Sequence, residues 1–395
     1  MVLERIPKLI LNDEELKILT VIGEGYRGLT LGLTYKNNPT EYPLFICKIY
    51  KDYQDWIDDH LKNYTKMDNF NIAPKLLGIQ VAEDNFYNIC HINGKKEMCI
   101  FDKHIYYYEI GGICTLNDYL NLSTIINFEN YKLIIKYINI TVKKTLMLSS
   151  KFNIIHTDLT TNNVMIKNNY TIYLFDKFIQ YNKIKNNKEL QDKAKEFIKI
   201  LNNYLLNVNT NKNHSNCALI KNTDKVKLTC DENEDITIID WDGLNFINEL
   251  IKKYVSSYNK NDKDVNDIFE AIYYTVYYTD ILKILYSCMI TLNEIIGKYQ
   301  TNNNIFKVIK YVEDLYKKYV NKLFEKSKLY KNVKDEHMRY HLFMVVLKGF
   351  SAVRTQEEFD KLFKYIKSKK YEESYNYMYN DVKYVRNIIG NVIKN

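Results

Sequence analysis

Proline stops early in this chain. Pro7, Pro39, Pro43 and Pro74 are the only four in 395 residues, and four of the twelve glycines (Gly23, Gly25, Gly28, Gly32) crowd into the same N-terminal region. Proline and glycine are the strongest local punctuators of backbone structure, so the region up to residue 74 is built differently from the remainder, which is free to run in long helices. So little of either residue also excludes a collagen-like, linker-like or largely disordered chain.

From Leu19 to Tyr50 the pattern is a strand, a glycine-rich turn, the strand "LTLGLTY", a polar turn "KNNPTEYP" and the strand "LFICKIY". That predicts a twisted antiparallel sheet with its glycines at the first hairpin. Residues 52–70 read as a helix, and "NIAPKLLGI" and "MCIFDKHIYYYEI" supply two more strands. "GICTLNDYLN" opens a helical region, in which "YKLIIKYINITVKKTLMLSS" carries apolar residues at helical spacing. A polar, Asn- and Lys-heavy segment from about 182 to 235, with the helical stretch "ELQDKAKEFIKILNNYLL" inside it, reads as an insertion between two core strands. "DVNDIFEAIYYTVYY", the apolar stretch 281–297 and residues 302–395 read as helices, with no fixed-period repeat.

Hydrophobic residues make up 46% of the chain, enough at this length to bury a sizeable core in two or three units. The net charge of +8 is spread among interspersed residues, giving a mildly basic surface with no stripe for a specific nucleic acid. The seven cysteines (Cys47, Cys90, Cys99, Cys114, Cys217, Cys230, Cys288) are widely spaced and never CxxC, which points to reduced thiols in a cytosol-like compartment rather than a zinc site or a bridge framework. Glu4 and Arg5 stand where a secretion signal would need apolar residues. Lys283 and Glu294 interrupt 281–297, so that segment reads as a buried helix and no membrane span is expected.

Four ordered features carry chemistry. Gly23-x-Gly25-x-x-Gly28 lies between two strands, where glycines let backbone amides approach phosphate oxygens. Lys48 follows on an apolar strand, placed to contact the phosphates of a nucleotide under that loop; Asp58 and Asp59 are the nearest candidates to hold it. In "IIHTDLTTNNVMI", Asp158 can accept a hydroxyl proton, Asn163 can bind a divalent metal, and His156 can brace the loop. Past the insertion, "DITIIDWDGLNF" ends an apolar strand on Asp240, the position for a second metal-binding carboxylate.

In this order the features resemble the protein-kinase superfamily. The resemblance covers roughly residues 17–297 and implies an α+β, bilobal protein-kinase-like fold. Its parts would be a small antiparallel β-sheet N-lobe (1–110), a mainly helical C-lobe (111–300) carrying the insertion, and a helical C-terminal extension (301–395). It further implies ATP and Mg²⁺ as cofactors, with Gly23, Gly25, Gly28 and Lys48 on the nucleotide, Asp158 as catalytic base, and Asn163 and Asp240 on the metal. "IYYYEIGGICTLNDYL" is similar to the hinge, placing adenine near Tyr107 to Gly111, and "DVNDIFEAIYY" looks like the helix whose aspartate, Asp264 or Asp267, anchors the catalytic loop.

There are departures. Thr157 replaces the arginine that reads out a phosphorylated activation loop, and Thr160 stands where serine/threonine kinases carry a lysine. No APE motif can follow Pro74, and only 267 − 240 = 27 positions separate Asp240 from Asp267, which shortens the peptide-docking platform. Asp176, 176 − 163 = 13 positions after Asn163, is a rival for Asp240. The long insert before a "DWD" strand end is reminiscent of divergent kinases of large DNA viruses, including poxviral serine/threonine protein kinases, which would act in the host cytoplasm. The same ending resembles small-molecule kinases of the aminoglycoside and choline type. The expected activity is γ-phosphate transfer from ATP to a protein serine or threonine. A small-molecule hydroxyl acceptor and a pseudokinase scaffold are the alternatives.

Overall fold

The computed structural model describes residues 6–24, 28–38, 43–51, 67, 72–92, 95–112, 114–125, 131–166, 188, 192, 218–222, 225–229, 236–241, 245–258, 262–298, 303–353 and 355–376. Gly25, Asp58, Asp59, Asp176, the expected helix at 52–70 apart from Met67, and most of the insertion, with all of its expected helix but Asp192, lie outside them. The chain divides into two compact units: Met1–Thr141, Thr160–Asp242 and Ser287–Ile309 form the first, and Val142–Leu159, Gly243–Tyr286 and Lys310–Asn395 the second.

The first unit is built on the expected antiparallel sheet. Strands β1 (Ile10–Leu11), β2 (Glu14–Glu24), β3 (Gly28–Tyr35), β4 (Phe45–Tyr50) and β5 (Leu76–Val81) are followed by the hairpin β6 (Phe86–Ile92) and β7 (Lys95–Phe101), then β8 (His104–Glu109). Six of them form one sheet in the order β1-β2-β3-β4-β8-β5, every neighbouring pair antiparallel. Strand alternation sets its two faces. Leu29, Leu31 and Leu33 of β3, Cys47 and Ile49 of β4, and Ile105 and Tyr107 of β8 form one buried layer, which Phe86, Cys99 and Phe101 of the β6–β7 hairpin join. Each of those leucines is at most 1% exposed, and burying each contributes roughly 1.5–3 kcal/mol. The opposite register positions, Thr30, Lys48 and Tyr106, are paired across β3, β4 and β8, which puts Lys48 on the other face.

Two of the loop glycines behave differently. Gly28 pairs with Tyr50, and a Cβ there would press on the Ile49 carbonyl oxygen and lie 3.2 Å from the Tyr50 Cα, so β3 can close on β4 only if residue 28 has no side chain. At Gly23 an added Cβ would meet nothing nearer than the Thr30 Cβ, 4.0 Å away. Gly28→Ala is therefore expected to lower stability by about 1–3 kcal/mol in urea titration, and Gly23→Ala to leave it near wild type.

Further along the first unit come β9 (Cys114–Thr115), α1 (Leu116–Ile125) and the start of α2 (Tyr131–Met147). The second unit receives the end of α2, a π-helical turn at Leu148–Phe152 and β10 (Ile154–Ile155). The chain then returns to the first unit through a 3-10 turn at Thr161–Asn163, β11 (Val164–Ile166), the hairpin β12 (Ala218–Asn222) and β13 (Lys225–Thr229), and β14 (Ile236–Ile238). There β11 lies between β14 and β9.

The second unit continues with β15 (Asn245–Phe246), which pairs antiparallel with β10, and its further described elements are helices: α3 (Ile247–Val255), α4 (Lys263–Lys298), α5 (Asn303–Lys326), α6 (Lys328–Asn332), α7 (Glu336–Ala352) and α8 (Gln356–Lys367). The last residues of α4, from Ser287, and the first of α5 belong to the first unit. The 36-residue α4 is one helix where the sequence pattern suggests two, as a segment without proline allows. Rings of Tyr254, Phe269, Phe350 and Phe359 pack α3, α4, α7 and α8 together, with Tyr254 stacked on Phe359 at 5.1 Å. A capping box of Thr355 and Glu358 starts α8. This is the α+β architecture expected from the sequence: an antiparallel N-terminal sheet followed by a mostly helical part. No described helix is long and apolar enough to cross a membrane. The described thiols of Cys47, Cys99 and Cys288 are buried and free, and burial pushes that of Cys288 up to about 12.

Candidate active site

In the first unit, Lys48 meets Asp240. Lys48 lies on β4 within an apolar strand, its side chain 16% exposed, and its ammonium donates to Asp240 Oδ1 at 2.6 Å while standing 5.5 Å from the Tyr50 ring centre. Asp240 stands two residues past the end of β14, with φ of 63°, a left-handed conformation that aspartate tolerates better than most residues. Trp241 is buried, and its indole N–H donates to the Ile238 carbonyl at 2.9 Å, tucking the aromatic residue of "DWD" inward and leaving Asp240 exposed.

Asn163 comes to the same place by strand pairing. Val164 is opposite Ile238 in the β11–β14 ladder, and the Ile239 amide donates to the Asn163 carbonyl at 2.9 Å, so Asn163 and Asp240 leave adjacent strand ends. The turn carrying Asn163 is fixed through Thr161. Its amide donates to Ser287 Oγ at 3.0 Å, its hydroxyl lies 3.4 Å from that of Thr291, and Thr291 in turn donates to Asn117 Oδ1 at 3.0 Å.

Asp158 belongs to the second unit, where its side chain is exposed between half-buried Thr157 and fully buried Leu159. The loop before it is held by Asp280 of α4. The His156 amide donates to Asp280 Oδ2 at 2.5 Å and the Thr157 amide to Oδ1 at 3.1 Å. Lys283, one turn on, donates its ammonium to the Thr157 carbonyl. Thr157 sits at φ of 66°, a conformation that costs a β-branched residue about 1–3 kcal/mol and persists only where surrounding bonds impose it. His156 and Asp280 are both fully buried. Burial pushes the Asp280 carboxyl up from its ordinary range, while His156, the two amides and Lys283 draw it down.

The anchoring aspartate is therefore Asp280, and the expectation of Asp264 or Asp267 is corrected. Asp264 is exposed and Asp267 half-buried in the first turns of α4, where carboxylates stay hydrated; neither is among the partners of the His156 and Thr157 amides. A signal for Asp280 is present in the sequence: between Ala271 and Asn293 it and Lys283 are the only charged residues in an otherwise apolar and uncharged polar run. The stretch from Asp240 to the anchor is thus 280 − 240 = 40 positions rather than 27. On β8, Tyr107 turns into the core layer and its hydroxyl donates to Gln80 Oε1 at 2.5 Å.

Among the described residues no group of three or more His, Cys, Asp or Glu side chains could hold a metal ion. One carboxylate and one amide oxygen, from Asp240 and Asn163, are hard donors that fit Mg²⁺, which takes few protein ligands and keeps phosphate and water for the rest.

No protein-family model matches this chain, and no curated protein matches it. Among solved structures it is similar to a crystal structure of a Plasmodium kinase domain, covering 87% of this chain and 92% of that one at 13% identity and a TM-score of 0.29. So distant a likeness leaves the functional reading to this chain's own residues.

Proposed function

We propose that this protein is an ATP- and Mg²⁺-dependent phosphotransferase whose acceptor is a serine or threonine hydroxyl of a protein. The lobes are read as residues 1–110 and 111–300, with 301–395 as a helical extension. The observation that carries the reading is the Lys48–Asp240 ion pair beside Asn163: a lysine from an apolar strand and two oxygen donors from adjacent strand ends, brought together across 192 positions of sequence.

Mg²⁺ held by Asp240 and Asn163 would supply charge neutralisation at the phosphates. Lys48 binds phosphate oxygens once its bond to Asp240 is exchanged for them, and Gly23, Gly25 and Gly28 are assigned to the nucleotide phosphates. Asp158, exposed on a loop held from behind, accepts the proton of the attacking hydroxyl.

Calorimetric titration tests the nucleotide half. ATP is expected to bind only with Mg²⁺, and Lys48→Met to weaken it by about 1.5–3 kcal/mol, roughly 10- to 150-fold in Kd. Equal affinity with and without the metal, or in Lys48→Met, would contradict the assignment. The acceptor is tested by offering γ-labelled ATP with generic protein substrates and, separately, with aminoglycosides or choline. Label confined to protein supports the reading, and label in the small molecules alone replaces it with a small-molecule kinase.

A further inference from the structure

Lys283 is a half-buried charge in a largely apolar helix, and nothing in the proposed nucleotide site uses it. Its position is defined by what it touches. Asp280 and Lys283 are three residues apart and so share a face of α4. Asp280 takes the amide of Thr157, and Lys283 takes the carbonyl of the same residue. One helical turn therefore holds a single residue from both ends, and that residue adopts a left-handed φ that its own side chain disfavours. The held carbonyl is half of the peptide unit whose N–H belongs to Asp158. Orienting that carbonyl orients the peptide plane from which Asp158 starts.

We propose that Lys283 is a positioning residue for Asp158, fixing the Thr157–Asp158 peptide plane and through it the direction of the carboxylate. The bonds of Asp280 end at the Thr157 amide, whereas the bond from Lys283 reaches the Thr157 carbonyl and so acts on ψ of Thr157. Lysine suits this role because its long apolar stem packs along the helix while its ammonium reaches a carbonyl. The role rests on the reading of Asp158 as the base, so its test needs one measurement that does not depend on activity.

The variants are Lys283→Met, which keeps an apolar stem and loses the donor, and Lys283→Arg, which keeps a donor. Selective ¹⁵N labelling follows the amides of His156, Thr157 and Asp158. In Lys283→Met the Asp158 resonance is expected to shift, because its peptide carbonyl has lost a charged donor, while the His156 and Thr157 amides keep their slow exchange through Asp280. Phosphotransfer is expected to fall about 10- to 100-fold in kcat with KM for ATP within about twofold, and Lys283→Arg to recover most of it. An unshifted Asp158 resonance, or a shifted one with wild-type kcat, overturns the proposal. A wild type that transfers no phosphate overturns the phosphotransferase reading instead, and the Asp158 resonance then decides alone whether Lys283 sets that peptide.

Discussion

Replacing Asp280 by alanine is expected to lower the stability of the folded protein by about 3–5 kcal/mol, a large share of the 5–15 kcal/mol that holds a typical domain together. The magnitude follows from what is orphaned. Asp280 is fully buried and accepts two backbone amides, and its removal leaves the His156 and Thr157 N–H groups inside the protein without an acceptor and leaves Lys283 without its neighbouring carboxylate. Each stranded amide costs about 1–3 kcal/mol, and the left-handed Thr157 loses the bond that imposes its conformation. Urea unfolding followed by circular dichroism measures the loss, and amide exchange should quicken at His156 and Thr157 first. Asp264→Ala, on the exposed first turn of the same helix, is the control and should change stability by less than about 0.5 kcal/mol. Equal effects from the two substitutions would remove Asp280 from its place as the anchor.

The second large effect concerns chemistry rather than folding. Asp158→Asn preserves the shape of an exposed side chain and removes its ability to take a proton, so kcat is expected to fall about 100- to 10,000-fold. The affinity for Mg·ATP should stay within about twofold, because the residues assigned to nucleotide and metal are Lys48, Asn163 and Asp240. Unfolding should keep the wild-type midpoint. A variant that transfers phosphate at the wild-type rate would take the proton-accepting role away from Asp158.

The glycine hairpin and its flanking strands are legible in the sequence because Leu29, Leu31 and Leu33 alternate along β3, β4 is an apolar run, and glycine or proline stands between the strands, even though β2 pairs with β3 through two register irregularities. Strand β6 and the first residues of β7 escape the strand pattern, although the sequence places Asn93 and Gly94, a pair that favours a two-residue turn, between the two strands. "MCIFDKHIYYYEI" reads as one strand, whereas Asp102 Oδ1 accepts the His104 amide at 2.9 Å and turns the chain there.

The candidate residues Lys48, Asp158, Asn163 and Asp240 can be picked out because each residue type sits in a local pattern that its proposed chemistry requires. Their partners are less accessible. The ion pair from Lys48 to Asp240 spans 192 positions and depends on how β4 and β14 are placed in the folded unit, which local periodicity does not encode. A family pattern points for the anchor to the helix "DVNDIFEAIYY", whereas the physical clue is a lone carboxylate deep in an apolar helix. Burial of a charge requires donors, and two amides and a nearby lysine are what Asp280 finds.

Every role proposed for Lys48, Asp158, Asn163 and Asp240 depends on this chain transferring a phosphoryl group. The most direct measurement is transfer of label from γ-labelled ATP, with Mg²⁺, by wild type and Asp158→Asn side by side. Acid-stable label on protein serine or threonine hydroxyls is expected with wild type, none when Mg²⁺ is chelated, and at least a hundredfold slower transfer with Asp158→Asn. Metal-dependent ATP binding with no transfer to any hydroxyl, the same in both proteins, would contradict it and leave a nucleotide-binding scaffold in its place.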